Sequence, residues 1–249
     1  MRGIAIGICF TVLATGGAFA QQQPDDIRDK AGWVADKSGC RIWNSNPQPN
    51  LTIVYSGACQ NGVASGHGEV AWYQNEKLVG REQGEFREGL LNGHAVILFV
   101  WGGNHLDRYD GEFSDGRRNG KGTQIDANGH YEGDWKDDRR DGWGTLRMPG
   151  GGQYEGEWTN DHPIGRASIT YNDGSRYEGN NVDFVQDGRG IEWFSNGARY
   201  YGEWHDGKPD GQGMYTEPDG SFVTGRWTHG CFRDGNKRAW INVNQSDCQ

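Results

Sequence analysis

A short unit of the form aromatic–x–Gly–x–aromatic returns along this chain at an almost constant interval, and nothing else in the sequence restricts the fold as strongly. The clearest copies run Tyr109 to Phe113, Tyr131 to Trp135, Tyr154 to Trp158 and Tyr200 to Trp204. Weaker copies centre on Gly57, Gly84, Gly179 and Gly225, the last followed by Trp227. The central glycines Gly57, Gly84, Gly111, Gly133, Gly156, Gly179, Gly202 and Gly225 are separated by 27, 27, 22, 23, 23, 23 and 23 residues. Self-similarity at such a period marks an array of stacked supersecondary units rather than one folded core.

Each unit continues alike. About five residues beyond the central glycine stands Gly116, Gly207 or Gly230, with Asp138 and Asp161 as substitutes. A Gly-x-Gly follows: Gly120/Gly122, Gly142/Gly144, Gly188/Gly190 and Gly211/Gly213. Successive side chains in a strand point to opposite faces. Tyr131, Gly133 and Trp135 therefore share one face, and Glu132 and Asp134 share the other. The turn residues suit positive φ. A second strand then places Gly142, Gly144 and Leu146 on one face, where small residues leave room for the rings of the partner strand. This accounts for 42 glycines in 249 residues, a content that disfavours long helices because glycine costs about 1 kcal/mol per helical position.

The pattern Y-x-G-x-W, turn, G-x-G resembles the MORN repeat (membrane occupation and recognition nexus), with about eight copies over residues 52–235. The resemblance implies an all-β, elongated, twisted single-layer solenoid of antiparallel hairpins. It also implies a scaffold or protein-interaction role, and lipid association is attached to the family's name. Some arrays of the family are fused to catalytic domains, for which the residues outside 52–235 are too few, so a non-enzymatic role is expected. The expected packing ladder consists of Tyr109, Phe113, Tyr131, Trp135, Tyr154, Trp158, Tyr200, Trp204 and Trp227.

The two ends read differently. Residues 1–20 have a cationic start at Arg2, a short apolar stretch and an Ala18-Phe19-Ala20 cleavage site, the pattern of a secretory signal peptide. Residues 21–51 are expected to form a lead-in and cap, and residues 236–249 a C-terminal cap. Without the leader four cysteines remain, which permit three connectivities. Cys40 with Cys59 and Cys231 with Cys248 is the simplest pairing; each bond closes a loop of roughly 20 residues, worth about 3 kcal/mol. There is no C-x-x-C spacing for zinc, and export to the periplasm or beyond favours disulfides.

A search for catalytic patterns finds no G-x-S-x-G, H-E-x-x-H, phosphate loop or EF-hand. No cofactor or metal is expected. The net charge of −9 argues against nucleic acid and anionic membranes, both of which reward clustered cations. The expected partner is an envelope or extracellular protein, or a glycan. Three large rings occupy offsets that elsewhere hold outward polar residues: Trp143, Trp193 and Tyr201. They read either as local packing or as an exposed binding strip, which gives polysaccharide binding as the alternative function.

Overall fold

The computed structural model describes residues 32–101 and 105–248; the expected signal peptide, residues 1–20, lies outside them. Four short strands come first: β1 (Trp33–Ala35), β2 (Arg41–Trp43), β3 (Leu51–Tyr55) and β4 (Ala58–Gln60). Long strands follow as β5 (Val63–Gln74), β6 (Lys77–Arg87), β7 (Leu90–Trp101), β8 (His105–Ser114) and β9 (Arg117–Asp126). Next come β10 (Gly129–Lys136), β11 (Arg139–Arg147), β12 (Gln153–Thr159), β13 (His162–Thr170), β14 (Arg176–Val182) and β15 (Val185–Trp193). The series ends with β16 (Arg199–His205), β17 (Lys208–Thr216), β18 (Phe222–Thr228), β19 (Cys231–Asp234) and β20 (Lys237–Trp240). From β5 to β20 each strand pairs antiparallel with the next, forming one long open sheet.

The turns explain why the chain doubles back so regularly. Asp137 and Asp138 have φ of 47° and 69°, and Asp206 and Gly207 have 47° and 73°. Two consecutive positive φ values make the tight hairpin turn whose twist matches that of its strands, and Asp, Asn and Gly accept this geometry most readily.

The two glycines of Gly-x-Gly prove to have different jobs, although alternation alone gives both the same one. Gly133 faces Gly144 across β10 and β11, but Trp135 faces Arg140, so β11 holds two extra residues in a bulge. Gly142, inside that bulge, takes a φ of 116°, where a side chain would be strained. Gly144 has ordinary backbone geometry, and it is the residue that lies beneath the Tyr131 ring. The acidic residue after the central glycine also has a job. Asp134 accepts the Trp143 backbone N–H at 3.0 Å, and Glu203 accepts that of Gln212 at 2.9 Å, closing the bulge.

One face of the sheet carries the core. Trp135 meets Tyr131 at 5.2 Å and Tyr109 at 5.3 Å, and Trp158 meets Tyr154 at 5.2 Å and Tyr131 at 5.3 Å, all edge to face. Trp204 likewise bridges Tyr200 and Tyr177, and Trp227 packs on Tyr200 at 5.1 Å. Phe113 packs on Tyr109. These rings are buried. Trp135 donates its indole N–H to the Gly122 carbonyl, Trp158 to that of Gly144 and Trp204 to that of Gly190, whereas the buried Trp227 indole N–H has no hydrogen-bond partner among the described residues. Arg118 and Arg140 lie over Trp135 and Trp158, each 4.2 Å from the ring centroid, a cation–π contact that also shields the ladder from water.

The first unit departs from the pattern. Gly57 is exposed and falls between β3 and β4, and β5 pairs with both of them in turn. The Cys40–Cys59 disulfide ties the segment before β2 to β4. Cys231–Cys248 ties β19 to a 3₁₀ turn at Gln245–Cys248. Both ends of the open sheet are therefore pinned covalently.

Candidate functional site

The opposite face of the sheet is where function has to be sought, because the ring-bearing face is filled. Among the described residues one group could offer three metal donors, namely Asp187, His205 and Asp206. Its geometry belongs to the hairpin itself. Asp187 accepts the Asp206 backbone N–H at 3.4 Å and meets His205 Nδ1 at 3.0 Å. The matching Asp141 and Asp210 accept backbone N–H groups of Asn160 and His229 in the same way. The cluster is one instance of a repeated turn clamp.

Strand register fixes the outward rows over the C-terminal units. Ile191 stands opposite Tyr201, Tyr201 opposite Met214, and Met214 opposite Thr224. In the next row Trp193 stands opposite Arg199, Arg199 opposite Thr216, and Thr216 opposite Phe222. Tyr201 and Phe222 are 57% and 58% exposed, far more than any ring of the ladder. Trp193 is half-buried, with the Arg176 guanidinium 5.8 Å from its ring centroid. An open depression of about 430 Å³ beside Tyr201 is lined in part by Arg189, Gln212 and Met214.

Trp193 and Tyr201 are thus brought together, and Trp143 is not. Trp143 is 48% exposed on β11, four strands from β15, or roughly 19 Å at the usual inter-strand spacing. It faces Glu157 and no other exposed ring in its row. Phe222 joins the patch in its place. The signal for it was available in the sequence: it lies three residues before Gly225, at the parity opposite to Val223 in the ladder position.

Charge divides along the same face. Over β13–β18 it carries Arg166, Arg176, Arg189, Arg199 and Arg226 against Glu178 and Glu203. Arg176 pairs with Glu178, and Arg189 with Glu203 at 3.3 Å. The Gln212 backbone N–H, and then Arg189, hold the Glu203 carboxyl below its ordinary value. Arg166 and Arg199 form no ion pair among the described residues, and Arg226 acts on Glu203 only at longer range. Over β8–β12 the outward face is more acidic, with Glu112, Glu132, Glu155 and Glu157 exposed beside the exposed Lys136 and Arg147. There Arg108 and Lys121 are engaged by Asp110 and Asp134.

Behind the basic patch the aromatic ladder is interrupted. Asn181 occupies the position of a ladder tryptophan and is fully buried. Its amide donates to the Gly165 carbonyl at 2.9 Å. Phe184 fills the vacated space from the turn, 5.3 Å from Tyr154 and 5.8 Å from Trp158, with a φ of 67°. A bulky residue in that conformation is strained, so packing must hold it there. Gln186 reaches the Tyr171 hydroxyl at 2.8 Å and Glu192 at 3.4 Å. Burial pushes the Glu192 carboxyl up to about 7, with the Asp173 charge adding to the effect.

A family model of the MORN repeat matches residues 83–104, 109–130, 131–153, 154–176 and 200–222. The unit that it passes over between 176 and 200 is the one in which Asn181 stands for tryptophan. No curated protein matches this chain.

Proposed function

We propose that this chain of MORN repeats is an exported, non-enzymatic interaction module whose working surface is the outward face of β13–β18. The observation that carries the reading is the convergence of Trp193, Tyr201 and Phe222 on one face while every ladder ring is packed on the other. Rings that contribute little to a core, clustered beside cations, are the composition of a binding surface rather than of a solvated one. A quasi-one-dimensional sheet suits a scaffold, because each hairpin leans only on its neighbours and presents an extended surface. Two disulfides at the ends accord with an oxidising compartment, and the Ala18-Phe19-Ala20 site supplies the export route. No described helix is long and apolar enough to cross a membrane.

The test is affinity capture from the native envelope with the wild-type protein and a Trp193→Ala/Tyr201→Ala double variant as baits. The reading requires a component retained by the first and lost by the second at equal thermal stability. Identical captures would remove this face as the working surface. An intact mass that retains residues 1–20 would remove export.

A further inference from the structure

The structure assigns a chemical class to the occupant of this face: we propose that the outward surface of β13–β18 binds a linear acidic polysaccharide. The inference rests on the reading of that face as the working surface and adds what it recognises.

Charge is the first argument. In a chain of net charge −9, five arginines against two glutamates make a local reversal of sign. Arg166 and Arg199 have no ion-pair partner among the described residues, and Arg226 reaches Glu203 only at longer range. Asp187 and Asp210 add two negative charges at the turn edge, where Lys208 adds one positive, so the face keeps a net positive balance. Exposed cations that lack partners, set beside open rings, match a ligand bearing carboxylates or sulfates.

Spacing is the second argument. Neighbouring strands are about 4.8 Å apart, close to the length of one sugar unit in a linear chain. A polysaccharide running across the strands meets Arg176 on β14, Trp193 on β15, Arg199 on β16 and Phe222 on β18 in register. Tyr201 stands in the adjacent row. Ring faces stack on the C–H faces of sugars, while guanidinium groups between them meet the acidic substituents.

Shape decides against an acidic protein. Protein interfaces concentrate their energy in well-packed pockets that take an anchor side chain, and the depression beside Tyr201 is open rather than enclosed. A nucleic acid is the other competing polyanion, and the oligothymidylate arm of the experiment separates it.

The experiment immobilises the purified protein and measures binding of polygalacturonate, dextran sulfate, uncharged dextran, polyglutamate and oligothymidylate. Expected are binding of the two acidic polysaccharides, weakened about tenfold or more between low and high salt, and none of dextran. Polyglutamate and oligothymidylate should bind at least tenfold more weakly. Tyr201→Ala, and separately Arg199→Gln/Arg226→Gln, should each lower polysaccharide affinity at least fivefold with unchanged melting, whereas Glu132→Gln should not. Equal binding of polyglutamate or oligothymidylate would overturn the assignment in favour of an acidic protein or a nucleic acid. Binding of dextran equal to that of its sulfate would overturn the role of charge. Absence of all polysaccharide binding would overturn the proposal, and capture with the double variant would then decide separately whether the face is a working surface at all.

Discussion

Tyr131 occupies the space that a β-carbon on Gly144 would need: such a carbon would stand 2.6 Å from the tyrosine Cζ, closer than real contacts allow. The Tyr131 hydroxyl reaches over the glycine to donate to the Asp134 carbonyl at 3.0 Å. The same ring-over-glycine contact joins Tyr109 to Gly122, Tyr177 to Gly190 and Tyr200 to Gly213. It is the local rule that makes one hairpin fit the next.

Substitution at that contact should therefore be costly. Gly144→Val must either displace the Tyr131 ring or distort the bulge, and about 2–4 kcal/mol of stability should be lost. Lys121→Val, at an exposed outward position paired only with Asp134, should cost under ~1 kcal/mol. Thermal melts of the two variants check this, and equal shifts would refute the assignment of faces.

Ladder and patch rings should separate in the same assay. Trp158→Ala removes a buried indole that bridges two tyrosines and should cost about 3–5 kcal/mol. Tyr201→Ala and Trp193→Ala should leave melting within a few degrees while lowering capture of the partner. Unfolding of Tyr201→Ala would make the patch part of the core.

Glu192 gives the stability a pH dependence. Its folded value, pushed up to about 7 by burial, lies above its ordinary 4.5, so the folded state binds the proton more tightly than the unfolded one. That contribution is complete below pH 4.5 and is lost as pH rises through 7. Glu82 is raised in the same way. Glu192→Gln should thus be more stable than wild type above pH 7, by about 1–3 kcal/mol, and should lose less stability between pH 5 and 7. Parallel melting curves for the two proteins across that range would contradict this.

The terminal disulfides should appear as Cys40–Cys59 and Cys231–Cys248 in non-reducing peptide maps. Each closes a short loop, and removing one should cost about 3 kcal/mol, most visibly as fraying of its own end. A map linking Cys40 to Cys248 would mean that the two ends meet, which an open sheet forbids.

How much of this was legible beforehand follows from what repeats. Tyr131, Gly133 and Trp135 alternate, so strand, face and turn could be read from sequence, and the two cysteine pairs fell where the array needed ends. The bulge could not be read: Gly142 and Gly144 look alike in a pattern, and only register separates positive φ from clearance under a ring. For the same reason the bulge-closing role of Asp134 and Glu203 was hidden behind their outward polarity. Trp143 shares an offset with outward residues, yet an offset does not say which strand is near, and four strands separate it from Trp193. Phe184 was missed because it reaches the ladder from a turn, where a strained backbone replaces the lost tryptophan of the repeat.

Photo-crosslinking in the native envelope tests the working surface most directly. A crosslinking amino acid at position 201 should give a discrete adduct or a polysaccharide-sized smear, and one at position 132, outward on the acidic stretch, should give neither. Adducts at 132 and none at 201 would contradict the account.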